Sequence, residues 1–358
     1  MQRWVAEGEF PALAVQLQSR NLVTEPICTG SASLTDATPV NGDTRFLVAS
    51  LTKPVVAMGV LLLVEQGRIG LNDRVVDWLP EFSAANRKTM TVRHLLSHTS
   101  GLPDMLPDNR ELRRQRSKLD AFVRGTCTVD LEFPVGRGAR YQSMGYALLG
   151  PIVAAASGMP LSEWLRTRIF QPLGMAATSL GEPAASNGKS RMGKRAPAPI
   201  AEIAVPEEQQ GGDDWNWNSP YWRALGAPWG GMISTVTDLS RFCRAMVNGG
   251  LGPNGRVFSL ASVKLATQNR LHDFPDITDA ERRTRGWGLG WRMNWLDHHT
   301  VFCDLLPETA CGHWGATGTL FWLDCERELA AVLLSTQPLG RGGSKLTQLS
   351  NAMVAALC

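Results

Sequence analysis

The sequence predicts a mixed α/β fold of the α+β kind. One antiparallel sheet is built from both ends of the chain and flanked by helices, with a helical insert between its halves. Three observations carry this reading. Strand-like runs fall early, at 10–17 and 23–28, and again late, at 288–295, 318–324 and 329–335. The last two are joined by the charged turn Cys325-Glu326-Arg327-Glu328, a hairpin. Between the two groups the apolar spacing is helical, at 55–64, 144–156 and 161–170.

In chain order, an amphipathic start leads into the strand at 10–17, entered through Pro11. Asn41-Gly42-Asp43 marks a turn. The apolar run 46–49 reads as a buried strand or extended entry to the long apolar helix 55–64, which ends near Gly67 and Gly70. A short amphipathic piece spans 73–79. Residues 91–97 read as a short helix, and His94 and His98 lie four apart; without the Glu of the zinc motif, a structural pair outweighs a zinc site. Residues 102–170 look mostly helical, and 181–214, rich in Gly, Pro, Ala, Ser and charge, reads as a long surface loop. Trp215, Trp217, Tyr221, Trp222 and Trp229 form an aromatic cluster, read equally as packing or as the wall of an apolar cleft. A helix from about 234 to 248 stops at Gly249-Gly250, and a last helix spans 345–357.

The 358 residues are 44% hydrophobic and 19% charged, enough for one large core or two joined lobes. A net charge of +3 is too mild to argue for a nucleic-acid partner. The basic run 110–118 reads as an exposed helix face. No apolar run is long enough for a membrane span, and residues 1–10 lack the apolar core of a secretory signal. Seven scattered cysteines without a C-x-x-C are expected as free thiols, which points to a cytoplasmic location.

Ser50 stands where the 46–49 run meets the long helix. Helix capping is the ordinary reading of a serine there. Lys53 lies three residues on, so its amine reaches the same helix face. Buried before ten largely apolar residues, it is costly to keep charged, and desolvation yields a neutral amine able to take a proton. Ser50 and Lys53 thus form a nucleophile and a base on one helical turn. Tyr141 follows a Gly-framed stretch and is one of three tyrosines in the chain; its phenol, with a pKa lowered by a nearby ammonium, can relay a proton. Residues 311–318 carry Gly at three positions before a strand, where a backbone N–H can join that of Ser50 in an oxyanion hole. A metal site at Cys303, Cys311 and His313, with His298 or His299, is the rival; its spacing matches no zinc pattern.

Ser50-x-x-Lys53, Tyr141-x-Ser143 and His313-x-Gly315, in that order, resemble the motifs of serine β-lactamases and penicillin-binding proteins. The likeness is greatest to the class C-like branch, which includes family VIII carboxylesterases and D-amino-acid peptidases. It extends through 46–54, 64–71, 91–103, 228–238 and 312–319, and spans about residues 10 to 350. The resemblance implies the β-lactamase/transpeptidase-like fold, with an antiparallel-sheet lobe (1–75 and 215–358) and a mainly helical lobe (76–214). It implies Ser50 as acylated nucleophile, Lys53 as base and Tyr141 as proton carrier to the leaving group. The N–H groups of Ser50 and Ala316 would hold the oxyanion. Ser143, His313, Trp314, Gly315 and Trp229 would contact a small-molecule ester or amide, and no metal or organic cofactor is implied.

The departures shape the expected function. Ser143 replaces an Asn, and His313 and Trp314 replace the Lys and Thr of the third motif, so a permanent cation and a hydroxyl that bind a β-lactam carboxylate are gone. His-x-Gly is common among the esterase-like members. The expectation is a carboxylesterase on small to medium esters. The alternatives are a D-amino-acid peptidase or amidase, a weak β-lactamase, or a non-catalytic binding protein.

Overall fold

The computed structural model describes residues 1–19, 21–182, 198–295 and 302–357. Its main sheet has six strands: β1 (Ala12–Ser19), β2 (Ile27–Gly30), β3 (Arg292–Met293), β4 (Cys311–Gly315), β5 (Thr319–Asp324) and β6 (Leu329–Ser335). They run in the order β2-β1-β6-β5-β4-β3, with every pairing antiparallel. β1 lies along β6 from Leu13 opposite Ser335 to Ser19 opposite Leu329, so both ends of the chain build the sheet, as the sequence predicts.

Residues on β1 alternate between two cores. Ala12 and Ala14 join Phe321, Val332 and Leu334 on one face; Leu13 and Val15 join Leu320, Trp322 and Leu333 on the other. Both faces are apolar, so both need cover. The Val236–Val247 helix covers the first. Thr235 caps it by accepting from the Asp238 N–H, and Leu239, Phe242, Cys243 and Met246 form its buried stripe. The Leu339–Ala355 helix and the short Gln2–Ala6 helix pack on the other face, through Leu346, Val354 and Trp4.

The Thr52–Glu65 helix is buried on every side from Thr52 to Leu63, which is why its sequence is apolar all round. Gly59 lets it meet a neighbour closely: a Cβ there would lie 2.6 Å from Leu165, and the Trp164 indole donates to the Gly59 carbonyl at 2.9 Å.

Several expectations need correcting. The run 46–49 is a strand only at Phe46–Leu47, paired in a small sheet with Met232–Ser234 and Ser179–Leu180. The chain then turns, with Ala49 in the left-handed region at φ 47°. The expected strand 288–295 shrinks to Arg292–Met293, because Gly290 turns the chain at φ 82°. The last helix starts at Leu339, after Pro338; Gly340, Gly342 and Gly343 hid its first turns from the sequence reading. Residues 102–170 hold the helices Asn109–Arg114, Leu119–Thr128, Met144–Ser157 and Leu161–Leu165, with an irregular stretch between the second and third. The basic run is not wholly an exposed face. Arg113 is buried, its guanidinium 4.2 Å from the Trp222 ring and 5.2 Å from that of Trp215, and burial lowers its pKa to about 10. Part of the expected 181–214 loop, residues 183–197, lies outside the described residues.

Candidate active site

Ser50 sits in a single 3-10 turn, Ala49–Leu51, directly before the Thr52–Glu65 helix. Leu51, not Ser50, is the residue before that helix, and the Ser50 hydroxyl caps nothing. Thr52 pins the turn instead: its hydroxyl donates to the Ala49 carbonyl (2.6 Å) and accepts from the Met232 N–H (3.1 Å). The β4–β5 turn holds it from the other side. Thr317 donates to the Leu47 carbonyl and Thr319 to the Val48 carbonyl, both at 2.8 Å.

The structure brings Ser50, Lys53 and Tyr141 together. Ser50 Oγ is 3.2 Å from Lys53 Nζ and 2.7 Å from Tyr141 Oη, and Nζ and Oη are 2.5 Å apart. Lys53 Nζ also donates to the Trp229 carbonyl at 2.8 Å. Lys53 is fully buried, and desolvation lowers its pKa to about 7 against a smaller opposing pull from Asp104. A neutral amine has two N–H bonds and one lone pair. The Trp229 carbonyl can only accept, so it takes one N–H; the other N–H and the lone pair face the two hydroxyls. Such an amine can accept the Ser50 proton directly or through Tyr141.

Tyr141 departs from expectation. Burial, and after it the Asp104 carboxylate, raises its phenol pKa where an ammonium was expected to lower it. Tyr141 therefore keeps its proton. Its ring is wedged among His98 (5.0 Å between centroids), Trp287 (5.8 Å), His313 (5.8 Å) and Trp314 (6.3 Å).

The other candidates divide. Ser143, Trp314 and Ala316, with Ser50 and Tyr141, line a cleft of about 720 Å³. Ser143 donates to Asp104 Oδ1 at 2.6 Å. Trp229 offers Lys53 its carbonyl, while its ring packs in the core against Phe122 at 5.4 Å. Of the five-member aromatic cluster, only Trp217 is on the cleft wall. Gly315 is a close-packing residue: a Cβ there would lie 2.2 Å from Thr319 Oγ1 and 2.4 Å from the Val48 carbonyl oxygen. His313 is buried beside the cleft, and burial followed by Lys53 lowers its pKa to about 3. Burial thus keeps the ring neutral near pH 7, although its Nδ1–H donates to the Trp314 carbonyl at 2.7 Å, a bond that pulls the pKa the other way.

His94 and His98 have separate tasks. His94 Nδ1 accepts from the Thr91 N–H and completes a capping box; His98 Nδ1 accepts from the Gln142 N–H. Cys303 and Cys311 lie in different cores, and no group of three metal-ligating side chains forms among the described residues. His298 and His299 lie outside those residues. Sequence reasoning missed Asp104 and Trp287. Asp104 follows Pro103 in a loop, and no spacing ties it to Ser143, 39 residues on.

A family model described as Beta-lactamase matches residues 3–350. Penicillin-binding protein 4 of Amycolatopsis lactamdurans is 32% identical over 292 residues, 79% of this chain and 68% of that protein. Esterase EstB of Burkholderia gladioli is 36% identical over 152 residues, 38% of each chain. Among solved structures, a penicillin-binding protein homologue from Caulobacter crescentus superposes with a TM-score of 0.79 at 23% identity, covering 99% of this chain and 95% of that one. The aligned stretches span 33% to 68% of the length of the first three curated relatives.

Proposed function

This chain belongs to the beta-lactamase family of serine hydrolases, and on that premise we propose that it is a carboxylesterase acting through an acyl-enzyme on Ser50. The observation that carries the reading is the triangle of Ser50, Lys53 and Tyr141, with an amine held near neutrality by burial. Ser50 Oγ attacks the ester carbonyl as its proton passes to Lys53. The N–H groups of Ser50 and Ala316 receive the negative oxygen. Tyr141 hands a proton to the departing alkoxide and recovers one from Lys53. Water then attacks the acyl-enzyme by the same path reversed, releasing the acid and restoring the Ser50 hydroxyl.

The choice of ester over β-lactam rests on charge. His313 is neutral and buried, and Ser143 is bound to a carboxylate, so neither supplies a cation for a substrate carboxylate. The EstB similarity supports the same reading over its shorter span. The test is p-nitrophenyl butyrate hydrolysis by wild type and Ser50→Ala, with the intact protein mass measured during turnover. Activity confined to the wild type, with an acyl mass on that protein alone, is expected. A folded wild type that cleaves no ester but takes up an amide or β-lactam would replace this reading with the amidase or penicillin-binding alternative.

A further inference from the structure

The cleft over Ser50 is negative although the chain as a whole carries a net charge of +3. Asp104, Glu207 and Glu208 line it, and its lining among the described residues holds no Lys, Arg or His. Lys53 lies beneath the floor and His313 beside it, both with pKa values lowered by burial. The two glutamates sit on a held segment. The Glu207–Gln209 turn is anchored through buried Gln209, whose side-chain oxygen accepts from Trp217 N (3.1 Å) and Arg113 Nη2 (3.3 Å). Aromatic surface shares the same cavity: Trp217 and Trp314 are half-buried on its wall.

Carboxylates in one cavity with half-buried indole rings, with no cation among the described lining residues, are the chemistry that takes up an alkylammonium group. We infer that the cleft selects esters bearing a positive charge, such as esters of amino alcohols or of amino acids, and disfavours substrates bearing a carboxylate. The inference rests on the reading of Ser50 as the acylated residue and names the substrate class of that site. Exposed Glu207 and Glu208 set the charge at the rim, and the two tryptophans supply the surface against which the alkyl groups pack.

The test compares butyrylthiocholine with its neutral carbon isostere, in which a tert-butyl group replaces trimethylammonium. Acyl group and leaving thiol chain stay the same. The cationic ester is expected to have a kcat/KM about tenfold higher at low salt. That ratio should shrink as salt is added and fall towards one in Glu207→Gln/Glu208→Gln. An isostere cleaved equally well or better overturns the inference, and a ratio unmoved by the double substitution overturns its assignment to this turn. If neither ester is cleaved, p-nitrophenyl butyrate decides the carboxylesterase reading, and binding decides the ammonium preference. Choline should then quench the tryptophan fluorescence of Ser50→Ala at concentrations where the neutral isosteric alcohol does not; equal quenching overturns it.

Discussion

Lys53 shows how one buried side chain couples reactivity to stability. Its pKa is lowered from 10.5 to about 7, so the folded protein binds fewer protons than the unfolded chain between those values. Whatever stability this group permits is therefore greatest at high pH and is lost as pH falls from about 10 to about 7. Lys53→Met removes that dependence, so its melting temperature relative to wild type should rise as pH is lowered across the window, while acylation slows by about 10²–10⁴-fold. A variant that keeps near-normal acylation would remove Lys53 from the proton path. Because the base must be unprotonated, kcat/KM should rise through pH 7 and then level. Asp104 raises the Lys53 pKa, so Asp104→Asn should move that rising limb to lower pH. A limb that stayed in place would show that the two groups do not feel each other. Ser50 and Lys53 could be read from sequence because three residues of helix put them on one face. The neutrality of His313 and the Asp104–Ser143 bond could not, since both depend on neighbours that only the fold supplies.

At the scale of elements, β4 is pressed against the Ser50 turn, and Gly315 makes the approach possible. Gly315→Ala would drive a methyl group into the Val48 carbonyl and the Thr319 hydroxyl. It should cost about 1–3 kcal/mol of stability, lower kcat more than KM, and leave the circular dichroism spectrum intact. Unchanged kcat and melting temperature would mean that β4 yields without disturbing Ser50. The Thr52–Glu65 and Met144–Ser157 helices and the strands β1, β5 and β6 were legible because each is a sustained apolar run. The two- and three-residue strands of the small sheet, including Phe46–Leu47, carry no period to read. The left-handed turn at Ala49 was hidden for another reason: alanine gives no sign of positive φ.

Over the whole molecule, the sheet was legible from where its strand-like runs fall, since early and late runs with helices between leave few ways to pair them. The cleft's charge was not, because Asp104 and Glu207 are far apart in sequence and meet only across the fold. Partners distant along the chain also make the sheet slow to close, as with Leu13 opposite Ser335. On refolding from denaturant, the ability of Ser50 to take up an acyl group should return no earlier than the slowest change in tryptophan fluorescence. Acylation ahead of that change would show a site assembled without its sheet.

The hydroxyls of Thr317 and Thr319 hold the backbone beside Ser50 across a separation of about 270 residues. On the ribosome, Ser50 and Lys53 emerge long before either threonine exists. A nascent chain thus carries the proposed nucleophile without the strand that would aim it. On the proposed reading, reactivity arrives with the last strands to be translated, and a chain stalled before them is expected to be silent towards esters.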